Sequence, residues 1–216
     1  LIVDNTFMTP YLQRPLELGA DITVQSATKF LAGHADLLAG VAATNDSDLA
    51  VQLHRGQLVS GALLPPIDSY RLLQDVKTLA LRLERQQQNA RELIDFLSAR
   101  PEVEQIFYPG SSSEEQAEIQ SRQARGIGSV FSLLLAEGGD AQAFARALPI
   151  FVNAVSLGGI ESLVSLPAHT THGAYAQEHR DEFGVDDRLV RLAIGIEDVQ
   201  DLIAALEIGL KAAFAG

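Results

Sequence analysis

The 216-residue sequence contains no cysteine, and basic residues are scarce in it. Without cysteine the chain can form no disulfide, no thiolate metal site and no cysteine nucleophile, which fits a reducing cytoplasm. Lysine and arginine together number 16 against 28 aspartate and glutamate residues, so the formal net charge is −12. Because nucleic acids and anionic membrane surfaces bind basic proteins, this balance argues against both as partners.

Long apolar runs and a methionine start are also missing. No apolar run approaches the roughly 20 residues that a membrane-spanning helix needs, so the sequence predicts no membrane segment. Hydrophobic residues still make up 47% of the chain, which is ordinary for a folded protein. The chain opens on Leu1-Ile2-Val3-Asp4, a run typical of a buried strand that meets a polar loop. We therefore expect the sequence to be the C-terminal part of a longer protein.

Residues 1–56 alternate short apolar runs with turn signals, a pattern typical of an α/β unit. A helix is predicted from Pro10 to Leu18 and ends at Gly19, because glycine tolerates the left-handed conformation that closes a helix. The apolar runs predict three strands, at Leu1–Val3, Asp21–Gln25 and Leu37–Thr44.

Residues 57–100 hold a break at Pro65-Pro66 and then one long amphipathic helix over Ile67–Ala99, with apolar residues every three to four positions. Such a helix of about 30 residues spans roughly 45 Å, which is long enough to link two domains. Residues 101–216 predict a smaller α/β domain. Its predicted elements are strands at Val103–Phe107, Val130–Ala136 and Arg188–Ile194, helices at Asp140–Ala147 and Val199–Phe214, and a partly helical stretch at Ser111–Gln123.

Lys29 follows the second predicted strand and lies in the polar turn Ser26-Ala27-Thr28-Lys29. The hydroxyl and backbone N–H groups of such a turn can hold a phosphate. Asp4 ends the preceding strand, so in a parallel sheet it lies at the same edge as Lys29. A lysine amine, a carboxylate for a ring nitrogen and hydroxyls for a phosphate are the groups that pyridoxal 5'-phosphate requires.

Other interpretations of these residues remain open. Lys29 could be a solvated lysine beside a helix start. Ser26 to Lys29 also fits the S-x-x-K nucleophile motif, although its S-D-N and K-T-G companions are absent from the chain. The spacing of His169, His172 and His179 could suit zinc, but no carboxylate completes a convincing set, so we predict no metal site.

Several longer motifs follow one another along the chain. They are Val3-Asp4-Asn5-Thr6-Phe7, Gly33-His34-Ala35-Asp36, Tyr108-Pro109-Gly110, Ser156-Leu-Gly-Gly-Ile-Glu-Ser-Leu163 and Arg191-Leu-Ala-Ile-Gly-Ile-Glu-Asp198. Together with the turn at Lys29, this order resembles the Cys/Met-metabolism enzymes that depend on pyridoxal phosphate. That family includes cystathionine γ-synthase, cystathionine β-lyase, cystathionine γ-lyase and methionine γ-lyase.

The resemblance implies roles for six residues. Lys29 would be the catalytic residue, which bonds to the cofactor and then moves protons. The forked guanidinium of Arg191 suits a substrate carboxylate, although without the resemblance Arg191 would be interpreted as part of a surface ion pair. The implied cofactor-binding residues are Asp4, Ser26, Thr28 and Lys29, and the implied substrate-carboxylate residues are Ser156 and Arg191.

The resemblance also implies a fold and an assembly. The fold is α/β, of the type I pyridoxal-phosphate transferase kind found in aspartate aminotransferase. Residues 1–56 would end a large cofactor domain with a mainly parallel sheet, residues 57–100 would form a linker and an interdomain helix, and residues 101–216 would form a small domain with a largely antiparallel sheet. Relatives imply a homo-oligomer, a dimer of dimers, in the cytoplasm.

The implied activity is that of a carbon–sulfur lyase in sulfur amino-acid metabolism, with a small sulfur amino acid as substrate. Val155 stands where cystathionine γ-synthase and cystathionine γ-lyase usually carry glutamate, which favours β-lyases and methionine γ-lyases. The Gly158-Gly159 pair favours the cystathionine enzymes over methionine γ-lyase, so cystathionine β-lyase is the preferred interpretation. Cystathionine γ-synthase, cystathionine γ-lyase and methionine γ-lyase remain alternatives. An inactive fragment is a further alternative, because the family's ring-stacking tyrosine and glycine-rich phosphate turn belong to the N-terminal half of such enzymes.

Overall fold

The first part of the chain builds a three-stranded sheet. A computed structural model, which describes residues 1–215, places β1 at Ile2–Asp4, β2 at Ile22–Ser26 and β3 at Gly40–Ala43, in that order across the sheet. β1 and β2 run parallel with Asp4 opposite Val24, so both strands end at the same edge, as predicted. β3 runs antiparallel to β2, so only one of the two strand pairs has the parallel direction that the resemblance implies.

Two short helical segments connect β1 to β2, where the sequence predicts one helix over Pro10–Leu18. α1 covers Thr9–Leu12, and a 3-10 turn covers Pro15–Leu18. The predicted continuity is wrong because a proline disfavours helical geometry in the residue before it, here Arg14, whose backbone is non-helical (φ −124°, ψ 82°). The predicted end is confirmed, since Gly19 takes a left-handed conformation with φ of 98°.

The helix α2, which spans Ser47–Ser60, is absent from the sequence prediction. The Asp46 carboxylate caps its start by accepting hydrogen bonds from the N–H groups of Asp48 and Leu49, at 2.8 and 2.9 Å. Its apolar residues are spread around the helix instead of falling on one side, so α2 lacks the single apolar face on which a helix prediction depends, and none of its residues is buried. The predicted domain boundary at residue 56 falls inside α2, and the domain division stays a prediction.

Two helices replace the single long helix predicted over Ile67–Ala99. They are α3 at Pro66–Asp75 and α4 at Leu79–Ser98, with a 3-10 turn at Val76–Thr78 between them. In a continuous helix the Asp75 carbonyl would accept the N–H of Leu79. Here the Thr78 hydroxyl and the Arg82 guanidinium donate to that carbonyl instead, each at 3.1 Å, and the helix is interrupted.

The rest of the chain forms a five-stranded sheet with flanking helices. The strands are β4 (Val103–Phe107), β5 (Val130–Leu135), β6 (Val152–Asn153), β7 (Leu163–Ser165) and β8 (Leu189–Ala193), and the helices are α5 (Glu114–Gln123), α6 (Ala141–Ala147), α7 (Gln177–Glu182) and α8 (Val199–Ala213). The strand order is β4-β5-β8-β7-β6, and only β6 and β7 pair in parallel, which confirms the predicted largely antiparallel sheet. β6 and β7 were not predicted, because runs of two and three residues show no readable alternation. Within residues 1–215, no helix combines the length and apolar character needed to cross a membrane.

Helices α4, α6 and α8 pack on the five-stranded sheet and form the main hydrophobic core. Its fully buried members include Leu97 of α4, Leu133 of β5, Phe144 of α6 and Leu206 of α8. A smaller core joins the two parts of the chain. Its buried members include Ala27, Phe30 and Leu31 after β2, Leu79 and Leu83 of α4, Leu157, and Ala193 of β8. The turn that follows β2 is therefore packed against the second part of the molecule.

Candidate active site

Lys29 lies in the turn that follows β2. The turn is closed by hydrogen bonds from the Lys29 N–H to the Ser26 carbonyl (3.2 Å) and from the Gly33 N–H to the Lys29 carbonyl (2.7 Å). The half-buried Lys29 Nζ donates a hydrogen bond to Ser156 Oγ at 3.0 Å, across 127 positions of sequence. No carboxylate within residues 1–215 forms an ion pair with Lys29. The fold therefore brings the predicted lysine and the predicted serine into direct contact.

Arg191 lies in β8 between Ser132 of β5 and Ser165 of β7. Its Nη2 donates to the Ser156 carbonyl at 3.0 Å. Burial lowers the pKa of the Arg191 guanidinium, although an arginine keeps its charge at neutral pH. In the described part of the chain no acidic side chain forms an ion pair with it. A half-buried guanidinium in these surroundings is suited to bind the carboxylate of a ligand.

Asp4 ends β1, and Thr6 ties it to the end of β2. Asp4 Oδ1 accepts hydrogen bonds from the N–H and the hydroxyl of Thr6, at 2.9 and 2.6 Å. The Thr6 hydroxyl oxygen in turn accepts the N–H of Ser26 at 2.8 Å. The exposed Asp4 carboxylate shares a cavity of about 760 Å³ with Ser26 and His54. Thr6, to which the sequence analysis gives no role, thus links the carboxylate to the start of the Lys29 turn.

Thr28 uses its hydroxyl to hold the segment that enters β3. Its oxygen accepts the Ala39 N–H at 3.0 Å, and its hydroxyl donates to the Ala39 carbonyl at 3.3 Å. Thr28 also lines a second cavity of about 550 Å³, together with Ser156, Asp36 and Glu161. A ligand that accepts a hydrogen bond from the Thr28 hydroxyl must therefore displace the Ala39 carbonyl from it.

The six residues predicted from the sequence fall into two groups that share one turn. One group meets at Ser156, and the other lines the cavity beside β1. The turn over residues 26–29 connects the groups, because it begins in one and ends in the other. The first group is Lys29, Ser156 and Arg191, and the second is Asp4 and Ser26, with Thr28 between them.

Three polar residues of α4 also lie against these segments, and they are not predicted from the sequence. Arg82, Gln86 and Asn89 are 5%, 0% and 0% exposed, although the amphipathic pattern treats such residues as part of a solvated face. Spacings of four and three residues place them on one side of the helix. That spacing, close to the buried Leu79 and Leu83, was the signal available in the sequence.

Two of the three histidines considered for zinc, His169 and His172, make ordinary hydrogen bonds. Within residues 1–215, no group of three histidine, cysteine, aspartate or glutamate side chains could hold a metal ion. His169 Nε2 is hydrogen-bonded to the Gln142 amide at 3.2 Å, and His172 Nδ1 to the Thr171 hydroxyl at 2.9 Å. Both partners are neutral side chains.

Comparison with known proteins gives a single family. Residues 1–211 match the family described as "Cys/Met metabolism PLP-dependent enzyme". The chain is 45% identical over 203 residues to a cystathionine gamma-lyase of Bacillus subtilis (strain 168), a match that covers 94% of this chain and 54% of that protein. It is 42% identical over 210 residues to a cystathionine beta-lyase of Lactococcus lactis subsp. cremoris, covering 97% and 55% respectively.

Solved structures agree with these sequence matches. The structure superimposes on the cystathionine gamma-lyase from Lactobacillus plantarum complexed with L-serine with a TM-score of 0.94 and 38% identity, over 98% of this chain and 56% of that one. This likeness confirms the predicted α/β fold of type I. The chain spans about half the length of the curated relatives it matches.

Proposed function

We propose that this chain, which belongs to the Cys/Met metabolism PLP-dependent enzymes, provides the reactive lysine and the substrate-carboxylate site of a carbon–sulfur lyase for small sulfur amino acids. The observation that carries the proposal is the position of Ser156, whose hydroxyl contacts Lys29 and whose carbonyl contacts Arg191. In an amino acid the Cα proton and the carboxylate are attached to the same carbon. A base and a carboxylate anchor that meet at one serine fit this arrangement.

The residues at the ends of β1 and β2 fit pyridoxal 5'-phosphate. The Lys29 amine is hydrogen-bonded to a neutral hydroxyl, so no ion pair has to be broken before the amine bonds covalently to the cofactor's aldehyde. The exposed Asp4 carboxylate, oriented by Thr6, can accept a hydrogen bond from the protonated ring nitrogen. The turn at Ser26 and Thr28 would hold the phosphate. When bound, the cofactor supplies an electron sink for the substrate Cα.

Each step of the proposed reaction is assigned to a specific side-chain group of this chain. The Lys29 amine removes the proton from the substrate Cα and delivers a proton later in the reaction. The Ser156 hydroxyl accepts a hydrogen bond from that amine and holds it near the Cα. Arg191 binds the substrate carboxylate with the N–H groups that it does not use on the Ser156 carbonyl. Asp4 opposes loss of the ring proton, because a nearby carboxylate favours a positively charged partner.

The preferred reaction of the proposal is β-elimination, as in cystathionine β-lyase. Its support is Val155, an apolar and exposed residue beside Ser156, where an acidic residue is usual in cystathionine γ-synthase and cystathionine γ-lyase, together with the Gly158-Gly159 pair, which favours the cystathionine enzymes over methionine γ-lyase. Relatives named gamma-lyase and beta-lyase match the chain at 45% and 42% identity. These values favour neither name, so γ-synthase, γ-lyase and methionine γ-lyase activities stay as alternatives.

The proposal includes a homo-oligomer, a dimer of dimers, in the cytoplasm. Exposed apolar side chains of the first part of the chain support an assembly, since such surface normally meets another protein surface. Examples are Val51, Val59, Leu63 and Leu73, between 58% and 82% exposed. The absence of cysteine supports a reducing compartment.

The first test uses the fact that the chain has only three lysines, at positions 29, 77 and 211. The chain is incubated with pyridoxal 5'-phosphate, reduced with sodium borohydride and digested, and mass spectrometry identifies the modified lysine. We expect the adduct at Lys29, its loss in Lys29→Ala, and no change in Lys77→Arg or Lys211→Arg. Modification of Lys77 and Lys211 but not of Lys29, in a chain that circular dichroism shows to be folded, contradicts the proposal.

The reaction type is tested by product analysis with cystathionine. Pyruvate with homocysteine indicates β-elimination, whereas 2-oxobutyrate with cysteine indicates γ-elimination and would replace the proposed reaction by its alternative. An adduct at Lys29 without any turnover would instead support the inactive-fragment alternative.

A further inference from the structure

The proposed site is assembled from three segments of chain that all contact one helix. We propose that the α4 polar row, defined as Arg82, Gln86 and Asn89, is a set of positioning residues that fixes the lysine, the serine and the arginine of the site relative to one another. This inference deepens the proposed function and rests on it. In the described part of the chain no member of the row is hydrogen-bonded to a side chain of the proposed cofactor or substrate residues, so their effect would pass through the backbone.

Arg82 holds the segment that follows Lys29. Its Nη1 donates to the Phe30 carbonyl at 2.7 Å and its Nη2 donates to the Leu31 carbonyl at 3.2 Å. The same guanidinium also donates to the Thr78 hydroxyl, at the start of α4, and to the Asp75 carbonyl, at the end of α3, each at 3.1 Å. A Cβ at Gly33 would overlap the Arg82 guanidinium, so glycine at that position allows the close approach. Arg82 therefore fixes the two residues directly after the reactive lysine.

Gln86 holds the segment that follows Ser156. It lies one helical turn beyond Arg82, and its Nε2 donates to the Gly159 carbonyl at 2.6 Å. Gly159 comes three residues after Ser156, and Gly158 between them has a left-handed backbone, with φ of 82°. The loop thus turns sharply between the serine and its contact with α4.

Asn89 holds the segment that follows Arg191. Its Nδ2 donates to the Gly195 carbonyl at 3.1 Å and to the Glu197 carbonyl at 2.9 Å. Gly195 comes four residues after Arg191 and two residues beyond the end of β8. Each segment of the proposed site therefore meets its own member of the row, and each has a contact within four residues of its functional side chain.

The three segments are also hydrogen-bonded to one another. The Ile160 N–H donates to the Gly33 carbonyl at 3.0 Å, and the Ile196 N–H donates to the Ile160 carbonyl at 2.9 Å. The Gly195 N–H donates to Ser162 Oγ at 2.9 Å. Because the row spans only about 10 Å of one helix at 1.5 Å per residue, a shift of one segment along α4 would strain its contacts with the other two.

The energetics favour positioning over simple packing. Gln86 Oε1 and Asn89 Oδ1 are buried, and neither has a hydrogen-bond partner within residues 1–215. An unpaired buried oxygen lowers stability, whereas an apolar side chain of similar shape would avoid that loss. The same helix buries Leu83 and Leu93 completely. The amides are therefore retained in spite of their unpaired oxygens, and what they supply is the set of donated hydrogen bonds to the Gly159, Gly195 and Glu197 carbonyls, which leucine could not form.

The neighbouring Gln87 offers a matched control. It is as buried as the row, at 6% exposed, and its Oε1 accepts the Gly128 N–H at 3.2 Å. Gly128 precedes β5, a segment that carries none of the proposed functional residues. Gln86→Leu and Gln87→Leu thus remove the same chemical group from adjacent buried positions of one helix, and only the first releases a segment of the site.

The test compares these two variants with the wild-type chain in three measurements. They are the pyridoxal 5'-phosphate concentration needed for half-maximal adduct at Lys29, the pH midpoint of adduct formation, and the urea midpoint. We expect Gln86→Leu to raise the required concentration by about tenfold, the size of one lost buried hydrogen bond, and to move the pH midpoint. Gln87→Leu should lower the urea midpoint similarly and leave both adduct measurements unchanged.

The outcomes separate the two proposals. Equal adduct behaviour of the two variants overturns the positioning inference and leaves the proposed function intact, whereas a folded wild-type chain without an adduct at Lys29 overturns both. If the leucine variants do not fold, Gln86→Asn and Gln87→Asn replace them, since asparagine keeps the amide but is too short to reach its carbonyl or N–H partner. The same criterion then applies to the milder pair.

Discussion

The two sheets of the molecule differ in how completely they are covered. In the five-stranded sheet, Leu133 of β5 and Leu192 of β8 are fully buried under helices α4, α6 and α8. In the three-stranded sheet every residue of β3 is exposed, and the nearby α2 has no buried residue. Both sheets are built from short apolar strands. The apolar pattern of the sequence therefore predicts the strands but does not predict which helices cover each sheet.

The three-stranded sheet also leaves polar atoms unpaired. Asn5 Oδ1, Thr23 Oγ1 and Gln25 Oε1 are buried, and none has a hydrogen-bond partner in the described part of the chain. All three line a cavity of about 720 Å³ between β2, β3 and α3. The second part of the molecule also holds unpaired buried atoms, such as Ser129 Oγ, but its buried Ser162 hydroxyl both donates to Glu197 Oε2 (2.9 Å) and accepts a backbone N–H. Alternation along a strand determines which face of the sheet a polar side chain lies on. Its hydrogen-bond partner, by contrast, comes from a segment that is distant in the sequence.

The largest expected difference between the two regions is in core packing. Leu133→Ala should lower the free energy of unfolding by about 2–5 kcal/mol, because it leaves a cavity in a closed core. Val59→Ala in α2, where the side chain is 82% exposed, should change it by no more than about 0.5 kcal/mol. Urea unfolding followed by circular dichroism measures both. Similar losses would show that α2 packs in solution as tightly as β5 and would remove the comparison.

A buried hydroxyl from each region gives a smaller difference. Ser162→Ala should cost about 1–3 kcal/mol, because it leaves a glutamate oxygen and a backbone N–H without their partner. Thr23→Val removes an unpaired hydroxyl at nearly constant shape, so the free energy of unfolding should stay the same or rise by about 1 kcal/mol. The same urea experiment measures both variants. A loss in Thr23→Val as large as that in Ser162→Ala would mean that the Thr23 hydroxyl is satisfied in solution.

Features that depend on neighbours in sequence were predictable. Asp140 starts α6 as predicted, by accepting hydrogen bonds from the N–H groups of Gln142 and Ala143 at 2.8 and 3.0 Å. The shared edge of Asp4 and the Lys29 turn follows from two parallel strands, and the structure has that pairing. These predictions succeed because each signal and its structural result lie within a few residues, or within one pair of adjacent strands.

Features that depend on distant chain were not predictable in the same way. The contact between Lys29 and Ser156 joins positions 127 apart, and only the resemblance to a family suggested that the two belong to one site. The burial of Gln86 and Asn89 depends on carbonyl groups of loops about 70 to 108 positions away. A helical pattern reports polarity at such positions, but whether a polar side chain meets water or a buried carbonyl is set by the tertiary fold.

The smallest expected effect concerns pH, and it compares one carboxylate from each region. Hydrogen bonds from Arg188 lower the pKa of Asp186 in the second part, and in the first part Glu17 forms an ion pair with Arg14 at 3.1 Å. A carboxylate with a lowered folded-state pKa stabilises the fold above its unfolded pKa, about 3.9. That contribution is lost as the pH falls through the folded-state pKa.

Asp186→Asn should therefore lower the free energy of unfolding at pH 7 by about 0.5 kcal/mol, the value for a partly exposed pair. The difference from wild type should disappear at acidic pH, once Asp186 is protonated in both states. Glu17→Gln should lower the free energy of unfolding at pH 7 by less, because its ion pair with Arg14 is more exposed than that of Asp186 with Arg188. Urea titrations at pH 7 and pH 3 measure both variants. A larger loss for Glu17→Gln would place the stronger electrostatic contribution in the first part of the chain and reverse this part of the comparison.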